Sequence, residues 1–92
     1  MTLSMEARGL LIDSLREGIA DGSVELGAAV RRLRVEVATM QQAPFASLCK
    51  ISVRTLIQIE QGVGNPTLKS LNAVFKPFGL QMGVVKRPRR IR

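Results

Sequence analysis

Two short helical segments with almost nothing between them constrain this 92-residue chain more than any other feature. In "QAPFASLCKISVRTLIQIEQG", residues 42–62, the first segment should cover about residues 42–49. Ser52 is an N-cap for the second, and Gly62 ends it. Only "KIS" is left to join them. In the second helix Leu56 and Ile59 are three apart and fall on one side at about 100° per residue. The other side carries Val53, Arg54, Ile57, Gln58 and Gln61. A solvated face rarely holds Val and Ile together, and a core face does not hold Arg and Gln. This outer face needs something to touch.

The rest of the chain is also helical in pattern. Ser4 can cap a first helix, with Glu6 in the opening turn where a negative charge suits the helix dipole. Met5, Leu11, Ile12, Leu15 and Ile19 recur at helical spacing until Gly22. Ser23 should cap a second helix, whose stripe is Leu26, Ala29, Val30, Leu33 and Val37, with Arg31, Arg32 and Arg34 largely off it. After the quoted stretch, Asn65 reads as an N-cap with Pro66 at the first helical position, where its missing N–H costs nothing. Leu68, Leu71, Val74, Phe75 and Phe78 then form a buried face, and Pro77 requires a distorted last turn before Gly79.

"LQMGVV", residues 80–85, reads as one short strand, with Leu80, Met82 and Val84 alternating with Gln81, Gly83 and Val85. A lone strand has no partner within such a chain, and its backbone donors and acceptors need one elsewhere. A second copy of the protein is the economical partner.

Charge is uneven. Residues 1–22 hold Glu6, Asp13, Glu17 and Asp21 against Arg8 and Arg16, whereas residues 23–85 carry seven bases and three acids. "KRPRRIR", residues 86–92, adds five positive charges and too little apolar surface to fold alone. A positive domain with a positive tail suits a polyanion, against the plainer alternative of charge for solubility.

Enzymatic readings lack parts: there is no His, no Cys-rich metal site, no Gly-rich phosphate loop and no nucleophile with an obvious base. Hence no cofactor, metal or catalytic residue is expected. Cys49 is the single cysteine, and its setting in "FASLCKI" favours a buried apolar role. No apolar run approaches a membrane span and no signal-peptide pattern opens the chain, so a cytoplasmic protein is expected.

Two helices joined this tightly, the second with polar groups outward, follow helix-turn-helix design: one crosses the DNA backbone while the next lies in the major groove. The segment 42–80 resembles the phage-repressor-like (Xre) family, whose pattern runs T-Q-x-x-L-A-x-x-x-G-V-S-x-x-T-I-x-x-x-E-x-G-x-x-x-P-x-x-x-T-L. The matching residues are Gln42, Phe45, Ala46, Ile51, Ser52, Thr55, Leu56, Glu60, Gly62, Pro66 and Leu71. The trailing strand is similar to that of the HipB antitoxin branch, in which such a strand pairs across a dimer. The resemblance covers about residues 24–85.

Three departures stand out. Gln41 and Pro44 replace a capping Thr and a first-turn Glu, and Lys50 replaces the turn Gly. The link from Arg34 to Gln42 is one residue longer than usual.

The resemblance gives the outer face a use. Arg54 is the first candidate for base readout, because its planar fork matches the O6/N7 edge of guanine. Gln58 can bond an adenine edge and matches a base-reading glutamine of lambdoid repressors, while Val53 and Ile57 would meet thymine methyls. Gln42 corresponds to the family's phosphate-contacting glutamine, with Gln61, Lys69 and the 62–65 loop as further phosphate candidates. Glu60 corresponds to an acid that pairs with an Arg of the preceding long helix, here Arg34, as a structural tie.

The expectation is therefore an all-α, lambda-repressor-like helix-turn-helix domain (23–79). An N-terminal amphipathic extension (1–22), a dimerisation strand (80–85) and a basic tail (86–92) complete it. It would bind double-stranded operator DNA as a homodimeric repressor, as the antitoxin of a HipA-type kinase toxin. The alternatives are a stand-alone repressor or a protein-binding module that has lost DNA binding. Residues 1–22 could widen the dimer, bind a partner or extend the core.

Overall fold

Ser4 and Gly22 do what their side chains, or lack of one, predict at the ends of the first helix. In the computed structural model, which describes residues 3–86, α1 runs Met5–Asp21. The Ser4 hydroxyl accepts the Ala7 N–H at 3.1 Å, and Gly22 closes the helix at φ 85°. Leu15 is buried and Leu11, Ile12 and Ile19 pack on the core, but Met5 is 87% exposed and leaves the stripe expected of it. Leu3, two residues earlier, lies against the π turn instead, and Met5 faces away from it.

The second helix begins later than Ser23. The Ser23 N–H is taken by Asp21 Oδ1 at 2.8 Å, and the Val24 N–H bonds back to Gly18 O at 3.0 Å. Val24 fills the space that a side chain on Gly18 would occupy. Helix α2 therefore spans Leu26–Arg32 behind Glu25, with no side-chain cap bond. It continues as one π-helical turn, Leu33–Ala38, ending at Thr39 in the left-handed region.

Helix α3 is Gln42–Cys49 and α4 is Val53–Gln61, and between them Lys50 turns the chain at φ 60°. Helix α5 spans Leu68–Phe75, followed by a 3-10 turn, Lys76–Phe78, that accommodates Pro77 before Gly79. Its start differs from the sequence reading. Thr67, not Asn65, is the N-cap, accepting the Ser70 N–H at 3.0 Å, and Pro66 precedes the helix. With that start Leu68 falls at the first helical position and is 63% exposed, outside the buried face.

All five helices contribute to one core, which makes the architecture all-α among the described residues. Helix α4 packs between α2 and α3, α5 packs on α3, and α1 covers α2 and the π turn. Phe45, fully buried, meets the ring of Phe78 at 6.0 Å between centroids. Truncating such a core Phe to Ala typically costs about 3–5 kcal/mol.

No strand is present among the described residues. Leu80 and Met82 pack against the core and Gln81 and Gly83 face out, as in a strand, but Val84, expected on the inner face, lies beyond the core and is fully exposed. A ladder needs a second edge, which one chain does not supply here, and the Met82 N–H instead donates to Asn72 Oδ1 at 2.7 Å. Of the basic tail, residues 87–92 lie outside the described residues. Among the described residues no helix is long and apolar enough to cross a membrane.

Candidate nucleic-acid interface

Helix α4 is capped at both ends by its own sequence. The Ser52 hydroxyl accepts the Thr55 N–H at 3.0 Å and donates to Thr55 Oγ1 at 2.8 Å. Gly62 takes φ 70°, where a side chain would be strained. Leu56 and Ile59 are buried beneath the helix. Outward stand Arg54 and Gln61, both exposed, and Val53, 39% exposed, with Ile57 and Gln58 half-buried beside them. The Gln58 side chain lies along the loop after α4: its Oε1 is 3.3 Å from where a Cβ on Gly64 would be. Gly64, at φ 75°, leaves room for this amide.

Behind this face, α4 is tied to the body by charge. Arg34, from the π turn, donates Nε to Glu60 Oε2 at 2.6 Å and Nη2 to Glu60 Oε1 at 3.0 Å, a two-pronged pair with both side chains nearly buried. Its Nη1 reaches the Met40 carbonyl at 2.9 Å. Gln42 Nε2 donates to Glu60 Oε1 at 3.2 Å, so the start of α3, the end of α4 and the π turn share one carboxylate. Bidentate guanidinium–carboxylate geometry fixes orientation as well as distance. No buried side-chain polar atom among the described residues lacks a partner.

Glycine sets the remaining contact. A Cβ on Gly27 would lie 2.4 Å from the Ile59 carbonyl oxygen and 2.6 Å from that of Glu60, so α2 meets the last turn of α4 backbone against backbone.

The structure thus gathers Val53, Arg54, Ile57, Gln58 and Gln61 on one helix face, and Arg34 with Glu60 behind it. Gln42 is not free at the surface but bonded to Glu60. Its second amide N–H is the donor left for an outside acceptor. Lys69 stands apart, lining a cleft with Lys50 and Lys76 between the end of α3 and α5. Cys49 forms part of that cleft, and burial pushes its thiol pKa up, so it stays protonated at neutral pH. Among the described residues no group of three or more His, Cys, Asp or Glu side chains is placed to hold a metal ion.

Gln42 as a ligand of Glu60, Arg34 as a ligand of the Met40 carbonyl, and Gly27 as a contact point were not read from the sequence. A Gly inside the helical pattern "VELGAAV" is a signal of close packing, whereas nothing in the pattern points to the Met40 carbonyl.

Chemically, α4 offers a rigid ridge with one guanidinium, two amides and two aliphatic side chains. That inventory matches the donor, acceptor and methyl pattern of a DNA major groove. Comparison with protein-family models, with curated proteins and with solved structures finds no match to this chain.

Proposed function

We propose that the protein is a sequence-specific DNA-binding transcriptional repressor of the cytoplasm, with α3 and α4 as the helix-turn-helix of a lambda-repressor-like domain. The observation that carries this reading is the mixed outer face of α4 on a helix locked from behind by Arg34, Glu60 and Gln42. Readout needs side chains held by a rigid support, and a purely solvated face needs no such anchoring. Arg54 and Gln58 would bond base edges, Val53 and Ile57 would meet thymine methyls, and Gln61 and the spare Gln42 N–H would reach phosphates.

The working unit is a homodimer whose strands 80–85 pair across the two-fold axis. Leu80 and Met82 anchor this segment to α5, and Val84 beyond them is fully exposed, which supports a ladder starting at that end. The role of antitoxin to a kinase-like toxin follows the resemblance to the HipB branch. A kinase-like reading frame beside the gene separates it from a stand-alone repressor.

The test is selection of duplexes from a random pool, followed by binding of the selected and scrambled duplexes across a salt series. A selected duplex should bind at least about 10³-fold more tightly than scrambled DNA at physiological salt. Equal binding to both would sink the reading.

A further inference from the structure

Two oppositely charged surfaces lie outside the face proposed to read DNA. The first is the cleft of about 590 Å³ between the end of α3 and α5. Lys50, Lys69 and Lys76, all exposed, rim it, and Leu48, Ile51 and Pro77 supply an apolar floor, with Leu48 55% exposed. No acidic side chain lines it, and among the described residues none of the three lysines is in an ion pair. A phosphate backbone has no use for an apolar floor; an amphipathic protein segment does.

The second surface is the outer face of α1. Glu6, Leu10, Asp13 and Glu17 are all exposed and, at about 100° per residue, fall within one narrow stripe. Leu10 lies along one edge of it, 67% exposed, between Glu6 and Asp13 along the helix, and these carboxylates make no ion pair among the described residues. The stripe therefore carries what the cleft lacks: negative charge around an exposed aliphatic side chain. The two cannot meet within one chain, because α1 packs on α2 and the π turn and contributes nothing to the cleft.

We propose that the lysine cleft of one copy receives the outer face of α1 of a second copy. Leu10 seats on the floor near Leu48, while Asp13 and Glu17 face the lysine rim. The contact joins two different patches and so is heterologous: each copy retains one unused cleft or stripe and can recruit a further copy. It is independent of pairing at 80–85, and where that pairing forms it links dimer to dimer. It does not rest on the DNA-binding reading.

Sedimentation over a concentration series at low and high salt tests the contact. The wild-type chain should associate beyond a dimer at low salt and less so at high salt, since the exposed charges are screened. The triple variant Lys50→Glu/Lys69→Glu/Lys76→Glu, and separately Asp13→Lys/Glu17→Lys, should each weaken that association at least about tenfold through like-charge contact. Mixed in equal amounts, the two variants should associate again, because each then presents a surface opposite in charge to its partner's. In a Val84→Pro background the same charge pattern should persist, which separates this contact from the strand. All these positions are exposed, so thermal melts should match wild type, and Lys→Gln at the three lysines should give a smaller loss in the same direction. Either reversal variant associating like wild type, or a mixture no more associated than its components, would overturn the proposal.

Discussion

A Cβ on Gly27 would stand 2.4 Å from the carbonyl oxygen of Ile59, so α2 and α4 touch there without a side chain between them. Both groups are backbone, and neither can swing aside. Gly27→Ala should force the helices apart and cost roughly 1–3 kcal/mol, as overpacking of a tight contact does. Gly9→Ala, in α1 with nothing within 4 Å, is the control and should be neutral or stabilising. Urea melts of the two variants compare them directly.

The Arg34–Glu60 pair should be strongly coupled. Removing either partner leaves a nearly buried charge with too few ligands, and each single Ala change should destabilise by about 3–5 kcal/mol. The double change should lose less than the sum. Strict additivity in denaturant melts would mean that Glu60 is held by Gln42 and the body rather than by Arg34.

Arg54→Ala separates readout from structure. The side chain is exposed, so stability should move by no more than about 0.5 kcal/mol. Binding to a selected duplex should weaken by about 1–3 kcal/mol, with preference relaxed at one base pair per half-site. Equal weakening on scrambled DNA would recast Arg54 as a phosphate clamp.

Thr39 and Lys50 both adopt positive φ, 53° and 60°, where a Cβ is strained. Glycine removes the strain but adds entropy to the unfolded chain. Thr39→Gly and Lys50→Gly should each stabilise by a net ~0.5–1 kcal/mol. For a chain this size that is a rise in melting temperature of roughly 2–8 °C. Thr39 should gain more, because a β-branched residue suits this region least.

Cys49 gives a pH signature. Its thiol pKa is raised by burial, so the folded state binds the proton more tightly than the unfolded one. Stability from this group is full below the ordinary thiol value and falls as pH climbs from there through the raised folded value. A Cys49→Ala variant should lack that alkaline decline. Native Cys49 should react slowly with a thiol reagent at pH 8 and at full rate in denaturant.

Much of this architecture is legible from local chemistry. Ser4, Ser52 and Gly62 mark helix ends through hydrogen bonds made within three or four residues, and Leu56 and Ile59 reveal the inner face of α4 by spacing alone. The start of α5 is not legible in the same way. Asn65–Pro66 and Thr67 are rival start signals two residues apart, and Thr67 prevails with a side-chain bond that composition does not rank. The opening of α2 is similar, because the Val24 N–H bonds back to the Gly18 carbonyl and keeps residues 23–24 at the end of α1. At the candidate interface, the inventory on α4 can be read from sequence. The diversion of Gln42 to Glu60 cannot, since it depends on how closely α3 and α4 pack. Residues 80–85 show the limit from another side: alternation places Leu80 and Met82 inward but fails at Val84, which the chain carries past the core, and it does not say what the backbone edge will meet.

The π turn at Leu33–Ala38 has a consequence for chain length. A π turn holds one residue more than an α turn over the same arc, so everything before and after it keeps its facing. The Arg34 guanidinium leaves this turn toward Glu60, and Gln42 opens α3 four residues after it ends. A chain one residue shorter between positions 35 and 38 can close the bulge into regular α-helix and retain both ends. A one-residue deletion there should therefore cost less than the same deletion in the middle of α1 or α4, a tolerance ordinarily confined to loops.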